Sequence, residues 1–433
     1  MSNFSLTFES DTDLTASQIS YSARQLVLAG PCGGGASLGV LQASTAVVVG
    51  AGGLASPLLL YLAGAGVGRL VVVDGDRVEE ANLHRQIIHK SGSRAMKAAS
   101  AKDAVQALNP STKISVIEDF LHHDNVKRLL DPFLTSAANP NGKGRVVVCD
   151  CTDNRPTRIL LSDFLKLFHP AVPLVSAAAL GFAGQLTVLN TPTGGCYRCL
   201  HPRVKQSCQS CVDDGVLGPV VGTMGTLQAT EAIKALLGVQ TLVNKLLVYD
   251  TFDLPLFRTI VIPRRDECSL CGKNPTIRSL EDSKADVEGE EIAFAPPRFD
   301  DEGDCTADLD EQVPFVTCEA LNAAIGVSTV LILDVRPSSQ FSLCRLPGSV
   351  NLPSHTVTAK GVSDIVDKHP SRDVTVHVLC RRGVASKAVV KSVGGMVARK
   401  ELEFPADRRV KFVDVRGGLN CWHDTVDKNF PVT

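Results

Sequence analysis

The chain has 433 residues, and Lys+Arg 44 against Asp+Glu 46 gives a net charge of −2. That length predicts two or three domains with large cores, and the balanced charge argues against a broad electrostatic contact with nucleic acid or an anionic membrane. The 14 cysteines are too few for a disulfide scaffold, and the N-terminus lacks the basic start and apolar stretch of a signal peptide. We therefore expect a cytoplasmic protein with no membrane or direct nucleic-acid partner. Its reduced cysteines would serve as metal ligands, reactive thiols or buried packing.

The first half of the chain alternates between predicted strands and predicted helices. Residues 1–20 are polar and are expected to form a flexible N-terminus. Strand patterns follow at 46–49, 70–73, 114–117 and 146–148, with helical patterns at 58–67, 95–108 and 156–168. This alternation predicts an α/β domain over residues 21–278, with a parallel sheet covered by helices on both faces. Its later part is predicted to add strands at 184–190, 245–249 and 258–262 and a helix at 223–237.

A break in composition separates this domain from the rest of the chain. Residues 279–312 hold thirteen acidic residues and only two basic ones, Lys284 and Arg298, together with the pair Pro296-Pro297. Such a segment cannot bury a core and is predicted to be an acidic linker. The α/β pattern restarts at Val313, which predicts a second, smaller α/β domain over residues 313–433.

A glycine-rich loop follows the first predicted strand. Gly50-Ala51-Gly52-Gly53 lies before a helix, and Asp74 ends the next strand. Glycines let a backbone approach a phosphate at a helix N-terminus, and an acid at that spacing binds ribose hydroxyls. The loop alone is equally compatible with NAD, and a tight turn that binds nothing is the structural alternative.

Charged residues after the loop narrow the choice of nucleotide. Arg85 and Lys97 would place cations beside the phosphates, and Asp153, after the strand at 146–148, is positioned to hold Mg²⁺. A reaction that expels pyrophosphate needs such cations, whereas hydride transfer does not. The alternatives are a solvated helix face for the two cations and a helix N-cap for Asp153.

Five separated motifs occur in order: Tyr21-Ser22-Ala23-Arg24-Gln25, Gly50 to Ala55, Asn82-Leu83-His84-Arg85-Gln86, Lys97, and Cys151-Thr152-Asp153-Asn154. Over residues 20–275 the chain thus resembles the ubiquitin-activating-enzyme-like superfamily, which includes the bacterial ThiF and MoeB adenylyltransferases. The resemblance implies a Rossmann-like domain that uses ATP and Mg²⁺ to adenylate the C-terminal glycine of a ubiquitin-like protein. It implies a homodimer in which Arg24 reaches the partner subunit's site. The residues implied to contact MgATP are Gly53, Asp74, Asn82, Arg85, Lys97, Asp153 and Asn154.

Three Cys-x-x-Cys pairs have the spacing of zinc knuckles: Cys196 and Cys199, Cys208 and Cys211, Cys268 and Cys271. One Zn²⁺ needs two pairs, and spacing alone leaves all three combinations open. The resemblance implies structural zinc on Cys196, Cys199, Cys268 and Cys271. It implies that Cys211 is the thiol that takes the adenylated tail, with Cys208 as the rival.

The second domain carries its own candidate nucleophile. Cys380 follows the strand pattern at 374–379 and begins the loop Cys380-Arg381-Arg382-Gly383-Val384-Ala385 before a helix. Two arginines and a helix N-terminus favour a reactive thiolate and an anion cradle. With Asp334-Val335-Arg336 and Gly417-Gly418-Leu419-x-x-Trp422, the domain resembles a rhodanese sulfurtransferase. Ser386 stands where phosphatase loops of this type carry arginine, which argues against phosphate chemistry.

The two domains together resemble eukaryotic adenylyltransferases and sulfurtransferases that serve a ubiquitin-related modifier and the small molybdopterin synthase subunit. The resemblance implies a C-terminal thiocarboxylate product for tRNA wobble-uridine 2-thiolation and, as a second pathway, molybdenum cofactor synthesis. It implies a persulfide donor, such as a cysteine desulfurase or a second sulfurtransferase. Two alternatives stay open: an activator for protein conjugation with a passive C-terminal domain, and an NAD-dependent oxidoreductase with a regulatory thiol domain.

Overall fold

A computed structural model describes residues 14–135, 144–202, 215–287, 313–405 and 407–431, which fall into two α/β units. Residues up to 287 belong to the first unit, and those from 313 belong to the second. No helix among the residues that the structure describes is long and apolar enough to cross a membrane.

The first unit forms one sheet of eight strands within its described part. In chain order they are β1 (Thr45–Val49), β2 (Arg69–Val73), β3 (Lys113–Ile117), β4 (Val146–Asp150), β5 (Leu174–Leu180), β6 (Ala183–Leu189), β7 (Lys245–Asp250) and β8 (Phe257–Val261). Their order across the sheet is β3-β2-β1-β4-β5-β6-β7-β8. The pairs from β3 to β5 are parallel, and those from β5 to β8 are antiparallel.

Helices cover both faces of this sheet. They are α1 (Ala16–Leu26), α2 (Gly34–Ala43), α3 (Ala55–Gly64), α4 (Lys97–Leu108), α5 (Val126–Leu134), α6 (Arg155–Phe168), α7 (Tyr197–Leu200), α8 (Gly218–Leu237) and α9 (Leu280–Val287). Successive valines of β1 point into different cores, because Val48 packs with α3, α4 and α8 while Val47 and Val49 pack with α5 and α6. This confirms the predicted two-faced α/β sheet, since a strand buried on both faces needs no polar side.

The second unit is a smaller sheet of parallel strands. Its strands are β9 (Phe315–Val316), β10 (Val330–Asp334), β11 (Val350–Asn351), β12 (Asp373–Leu379) and β13 (Arg409–Val415), in the order β11-β10-β12-β13-β9. Its helices are α10 (Cys318–Ala324), α11 (Ser338–Leu343), α12 (Ala359–Asp367), α13 (Val384–Ala398) and α14 (Gly418–Thr425). The chain's one tryptophan, Trp422, is buried in this unit.

A helix begins within residues 1–20, the stretch predicted to be a flexible N-terminus. Helix α1 begins at Ala16, where Thr15 and Gln18 form a capping box: the Gln18 N–H donates to Thr15 Oγ1, and the Thr15 N–H donates to Gln18 Oε1 at 2.8 Å. These reciprocal bonds satisfy two amides that a helix start would otherwise leave free. Residues 1–13 lie outside the described part.

The acidic linker was predicted to start at residue 279, but helix α9 occupies residues 280–287 and packs on the first unit. Ser283 is buried and donates to Asp163 Oδ2 of α6 at 2.6 Å, and Asp286 pairs with Arg198 of α7. The contacts of the first unit therefore extend past residue 278, through a buried hydroxyl and a paired carboxylate that composition does not reveal. Residues 288–312 lie outside the described part, and the remaining boundaries stay predictions.

Candidate functional sites

The glycine-rich loop lies where the strand order of the first sheet reverses, between β1 and β4. Crevices at such switch points are where doubly wound sheets bind ligands. Gly50 has φ +90°, and a Cβ there would lie 2.8 Å from the Cys151 carbonyl oxygen. The loops after the two strands therefore approach so closely that only glycine fits.

Asp74 holds the loop from the end of β2. The Ala51 N–H donates to Asp74 Oδ2 at 2.6 Å, and the Asp76 N–H donates to Oδ1 at 2.8 Å. Burial raises the pKa of Asp74, and the nearby Lys97 opposes that rise. Asp74, the residue predicted to bind the ribose, thus also fixes the backbone of the loop.

Lys97 is buried at the start of α4 rather than on a solvated helix face. Its Nζ lies 2.8 Å from Asp76 Oδ2. Burial by itself lowers the pKa of Lys97, but Asp74 and Asp76 outweigh it, and the pKa lies above its ordinary value. The site therefore holds a fixed positive charge beside the glycine loop.

Asn82 and Arg85 form a second polar group near the loop, on the 3₁₀ turn Glu80–Asn82 and just after it. Arg85 Nη2 donates to Asn82 Oδ1 at 2.7 Å, and Asn82 Nδ2 donates to Glu79 Oε2 at 3.0 Å. Gly53 abuts this segment, since a Cβ on it would lie 3.2 Å from the Arg85 carbonyl oxygen. The asparagine thus orients the guanidinium beside the loop.

Asp153 and Asn154 follow β4 at the same edge of the sheet, and they differ in role. Asn154 caps α6, because its Oδ1 accepts from the Thr157 N–H at 2.9 Å. The N-cap alternative for Asp153 is therefore wrong, and the carboxylate of Asp153 is exposed to solvent. Of these two side chains, only Asp153 has its oxygens available for Mg²⁺.

Two features of this site were not selected from the sequence. Asp150 is buried, accepting from Ser176 Oγ at 2.6 Å and Thr152 Oγ1 at 2.7 Å, so it stiffens the loop that carries Asp153. Gln86 is also buried, and its Oε1 has no hydrogen-bond partner among the described residues. The amide nitrogen of the same side chain lies beside Gly52, since a Cβ there would be 3.4 Å from Gln86 Nε2. Gln86 ends one of the five quoted motifs, so its signal was present.

Four cysteine thiols meet in a second site. The Sγ atoms of Cys196, Cys199, Cys268 and Cys271 lie within 4.8 Å of one another. Neighbouring pairs are 3.4 to 3.9 Å apart, and four sulfurs about 2.3 Å from one Zn²⁺ would lie roughly 3.8 Å apart. The donor set and its spacing fit zinc, and of the three possible combinations the structure brings together the first and third pairs.

The structure does not place Cys211 and Arg24 in a site. Cys211 and its rival, Cys208, lie outside the described residues. Arg24 is exposed on α1. Their assignments stay predictions.

Cys380 occupies the carboxyl end of β12 in the second unit. It is buried, the Gly383 N–H donates to its Sγ at 3.1 Å, and the Ser386 Oγ lies 3.2 Å from the same sulfur. Gly383 has φ +81°, and a Cβ on it would lie 2.7 Å from the Gly417 nitrogen. The Leu419 N–H donates to the Cys380 carbonyl at 2.9 Å. The two glycine motifs of this unit therefore build one pocket around a single sulfur.

Comparison with known proteins identifies both units. A model of the ThiF family matches residues 23–270, and one of the rhodanese-like domain matches residues 317–425. The chain belongs to the ThiF family. The ThiF domain precedes the rhodanese-like domain, and the chain is an adenylyltransferase and a sulfurtransferase.

Relatives with the same two activities in their names cover nearly the whole chain. The adenylyltransferase and sulfurtransferase MOCS3 of Culex quinquefasciatus is 35% identical over 97% of this chain and 91% of its own. The MOCS3-1 protein of Zea mays is 37% identical over 98% and 86%. The uba4 protein of Emericella nidulans, likewise named adenylyltransferase and sulfurtransferase, is 36% identical over 90% and 82%. The oxidoreductase alternative is thereby set aside.

Replacing Cys268 with serine in the ThiF domain is expected to remove bound zinc. Three sulfurs and a hydroxyl bind Zn²⁺ weakly, and the knuckle that packs around Leu270 and Ile277 would loosen. Elemental analysis of the purified chain should fall from one zinc to none. Cys208→Ser is the matched control and should keep its zinc. Loss of zinc in that variant would show that the pair Cys208 and Cys211 takes part in the metal site.

Asp414 in the rhodanese-like domain gives a prediction about pH. It is buried beside Ser386, and burial raises its pKa to about 6, against the opposing effects of Ser386, Lys387 and Arg416. An unfolded aspartate has a lower pKa, so the folded unit binds the proton more tightly. Its contribution is fully present below about pH 4 and is lost as the pH rises through about 6.

Asp414→Asn is therefore expected to stabilise this unit by about 2 kcal/mol near pH 8, and by less as the pH falls toward 4. Urea unfolding followed by the fluorescence of Trp422 reports on this unit alone, since the chain has one tryptophan. Exposed Asp364, changed to Asn, is the control. Parallel pH profiles for the Asp414 variant and the unchanged chain would contradict the prediction.

Proposed function

We propose that the chain activates and sulfurates a ubiquitin-like sulfur carrier. It would adenylate the carrier's C-terminal glycine with ATP and then convert the carboxylate into a thiocarboxylate. The observation that carries the proposal is that one chain holds a buried Lys97 beside a glycine loop and a buried Cys380 whose sulfur accepts from the Gly383 N–H.

The adenylation step uses the charges of the first site. Asp74 would bind the ribose, and Asn82, Arg85 and Lys97 would contact the phosphates. A carboxylate oxygen of the carrier attacks the α-phosphorus, and pyrophosphate leaves. The fixed charge of Lys97 stabilises the negative charge that develops in that step, because it needs no reorganisation at the moment of reaction.

The metals have separate roles in the proposal. Asp153 would hold Mg²⁺, with Gly53 and Asn154 at the edges of the same crevice. When bound, Mg²⁺ would supply positive charge to the phosphates. Zn²⁺ on the four cysteines would be structural, since a site with four protein sulfurs leaves no open position.

Cys211 is proposed to take the adenylated tail as an acyl group, with AMP leaving. An acyl-thiol intermediate divides one difficult substitution into two easier ones. Cys208 is the rival. If Cys211→Ala kept full sulfur transfer while Cys208→Ala lost it, the assignment would be reversed.

Cys380 is proposed to carry the transferable sulfur as a persulfide. The Gly383 N–H and the Ser386 hydroxyl, which lie beside its sulfur, can stabilise the added anionic sulfur. A cysteine desulfurase or a second sulfurtransferase would load it. The terminal sulfur of the Cys380 persulfide would attack the acyl carbon, with the Cys211 thiolate leaving. That thiolate would then attack the Cys380 sulfur of the acyl disulfide, which releases the thiocarboxylate and leaves a Cys211–Cys380 disulfide for a thiol reductant to open. Because both sites are on one chain, the transfer gains from effective concentration.

The proposed partners follow the same chemistry. The carrier would be the ubiquitin-related modifier, with the small molybdopterin synthase subunit as a second substrate. The products would serve tRNA wobble-uridine 2-thiolation and molybdenum cofactor synthesis in the cytoplasm. The chain would act as a homodimer, which gives the exposed Arg24 a place in the partner subunit's site.

Mass spectrometry of the carrier tests the proposal. The protein is incubated with carrier, ATP and a persulfide source, and the C-terminal peptide is weighed. Exchange of one oxygen for sulfur, dependent on ATP, is the expected result. A carrier that is adenylated but never gains sulfur would contradict the second half of the proposal, and one that is never adenylated would contradict the first.

A further inference from the structure

His89 connects the glycine loop to the helix that carries Lys97. The ring is buried, with Nε2 2.8 Å from the Ala51 carbonyl oxygen and Nδ1 3.0 Å from Ser100 Oγ. Ser100 lies on α4, one turn after Lys97. One imidazole therefore spans the two halves of the proposed phosphate site.

The partners of the ring fix where its proton lies. A carbonyl oxygen only accepts, so Nε2 carries the hydrogen and donates to Ala51. In the neutral ring, Nδ1 then accepts from the Ser100 hydroxyl. Burial lowers the pKa of His89, and the charge of Lys97 lowers it further against the effect of the Ala51 carbonyl. The ring is thus a neutral donor aimed at the loop.

The Ala51 residue is held from both sides. Its N–H donates to Asp74 Oδ2 at 2.6 Å, and its carbonyl accepts from His89. The next carbonyl, that of Gly52, accepts from the Ser56 N–H at 3.0 Å and from Ser56 Oγ at 2.8 Å. The carbonyl oxygens of Ala51 and Gly52 are therefore both hydrogen-bonded within the protein.

This arrangement sets the direction of the amide that follows. In a trans peptide the carbonyl of one residue and the N–H of the next point in opposite directions. With the Ala51 carbonyl fixed on His89, the Gly52 N–H is turned the other way, and it donates to no described residue. An amide with no partner at a helix start is a donor for phosphate.

We propose that His89 is a positioning residue for the nucleotide, which holds the Ala51 carbonyl inward so that the Gly52 N–H faces the phosphates. The inference rests on the proposed function, because it assumes a nucleotide in this crevice. Ser100 fixes the ring in the donating tautomer. A histidine that only fills space would be replaced by another ring of similar size at no cost to nucleotide binding.

Three variants of the full chain separate these roles. His89→Phe keeps the volume and removes the donor, His89→Gln keeps one amide donor, and Ser100→Ala removes only the hydroxyl that orients the ring. The dissociation constant for ATP is measured by equilibrium dialysis with labelled ATP. KM for ATP, KM for carrier and kcat are measured by ATP–pyrophosphate exchange.

We expect His89→Phe to weaken ATP binding about tenfold, since a hydrogen bond to an ordered loop is lost and its carbonyl is left without a partner. KM for ATP should rise with it while kcat and KM for the carrier stay within about threefold, the pattern of lost ground-state binding. His89→Gln should recover most of the affinity, and Ser100→Ala should lose part of it.

Unchanged ATP affinity in His89→Phe, or a His89→Gln variant no better than His89→Phe, overturns the proposal. If His89→Phe does not fold, Ser100→Ala and His89→Gln still decide between the two roles. If the unchanged chain binds ATP but exchanges no pyrophosphate, adenylation is wrong while the affinities still test His89. If it binds no ATP, both proposals fall.

Discussion

Replacing Cys380 with serine is expected to abolish thiocarboxylate formation while leaving ATP–pyrophosphate exchange unchanged. A serine oxygen cannot carry a persulfide, and the rest of the pocket is preserved because the hydroxyl is close in size to the thiol. The carrier should therefore be adenylated at the normal rate and released without sulfur. Mass spectrometry of the carrier's tail and exchange kinetics, on the same preparation, measure both halves.

Cys421→Ser is the matched control, since Cys421 lies in the same unit on α14 and is only partly buried. It should leave thiocarboxylate formation intact. The alternative function is an activator that conjugates the carrier to lysines and has a passive second domain. It predicts that Cys380→Ser leaves thiocarboxylate formation unchanged. Full thiocarboxylate output from the Cys380 variant would favour that alternative.

Replacing Lys97 with alanine is expected to lower ATP–pyrophosphate exchange by at least about a hundredfold, the effect of removing one preorganised charge from a developing anion. Two losses combine. The phosphates lose a buried cation, and Asp74 loses the nearby positive charge that opposes the rise of its pKa by burial.

Lys102→Ala, on the same helix but only half-buried, is the control and should leave exchange unchanged. Circular dichroism establishes that both variants are folded. Loading of Cys380 by a persulfide source should be normal in both. The Lys97 variant would thus lose adenylation and keep sulfur loading, and the Cys380 variant would do the opposite. Exchange within about threefold of the unchanged chain would show that Lys97 is not the cation of this reaction.

The sequence predicted the fold well where its signals are local. Valine runs such as Val47 to Val49 mark strands buried on both faces, and glycine at Gly50 marks the close approach that follows the first strand. Cys-x-x-Cys spacing indicated a metal site but left its pairing to resemblance. The structure supplies that pairing, since β-sheet topology brings together residues 72 positions apart in the chain.

Other features depend on burial, which a sequence does not display. Nothing in the sequence around Lys97 and Asp150 shows that these charged residues are buried. Only tertiary contacts show that Lys97 is a fixed cation and that Asp150 accepts hydrogen bonds inside the protein. His89 has the contacts of an ordinary structural histidine. Both ring nitrogens are indeed bonded, but the identity of the bonded partner, a loop carbonyl, gives the ring its further interest.

The contact between α9 and the four-cysteine site also determines where the chain can be divided. Arg198 lies between Cys196 and Cys199 in the sequence, and it donates to both Asp163 and Asp286. A fragment ending at residue 278 would leave a buried carboxylate without its hydroxyl partner Ser283 and would uncover apolar surface where Leu280 now packs. One ending at residue 287 retains these contacts. A fragment of the first unit should therefore extend to residue 287 to keep these contacts.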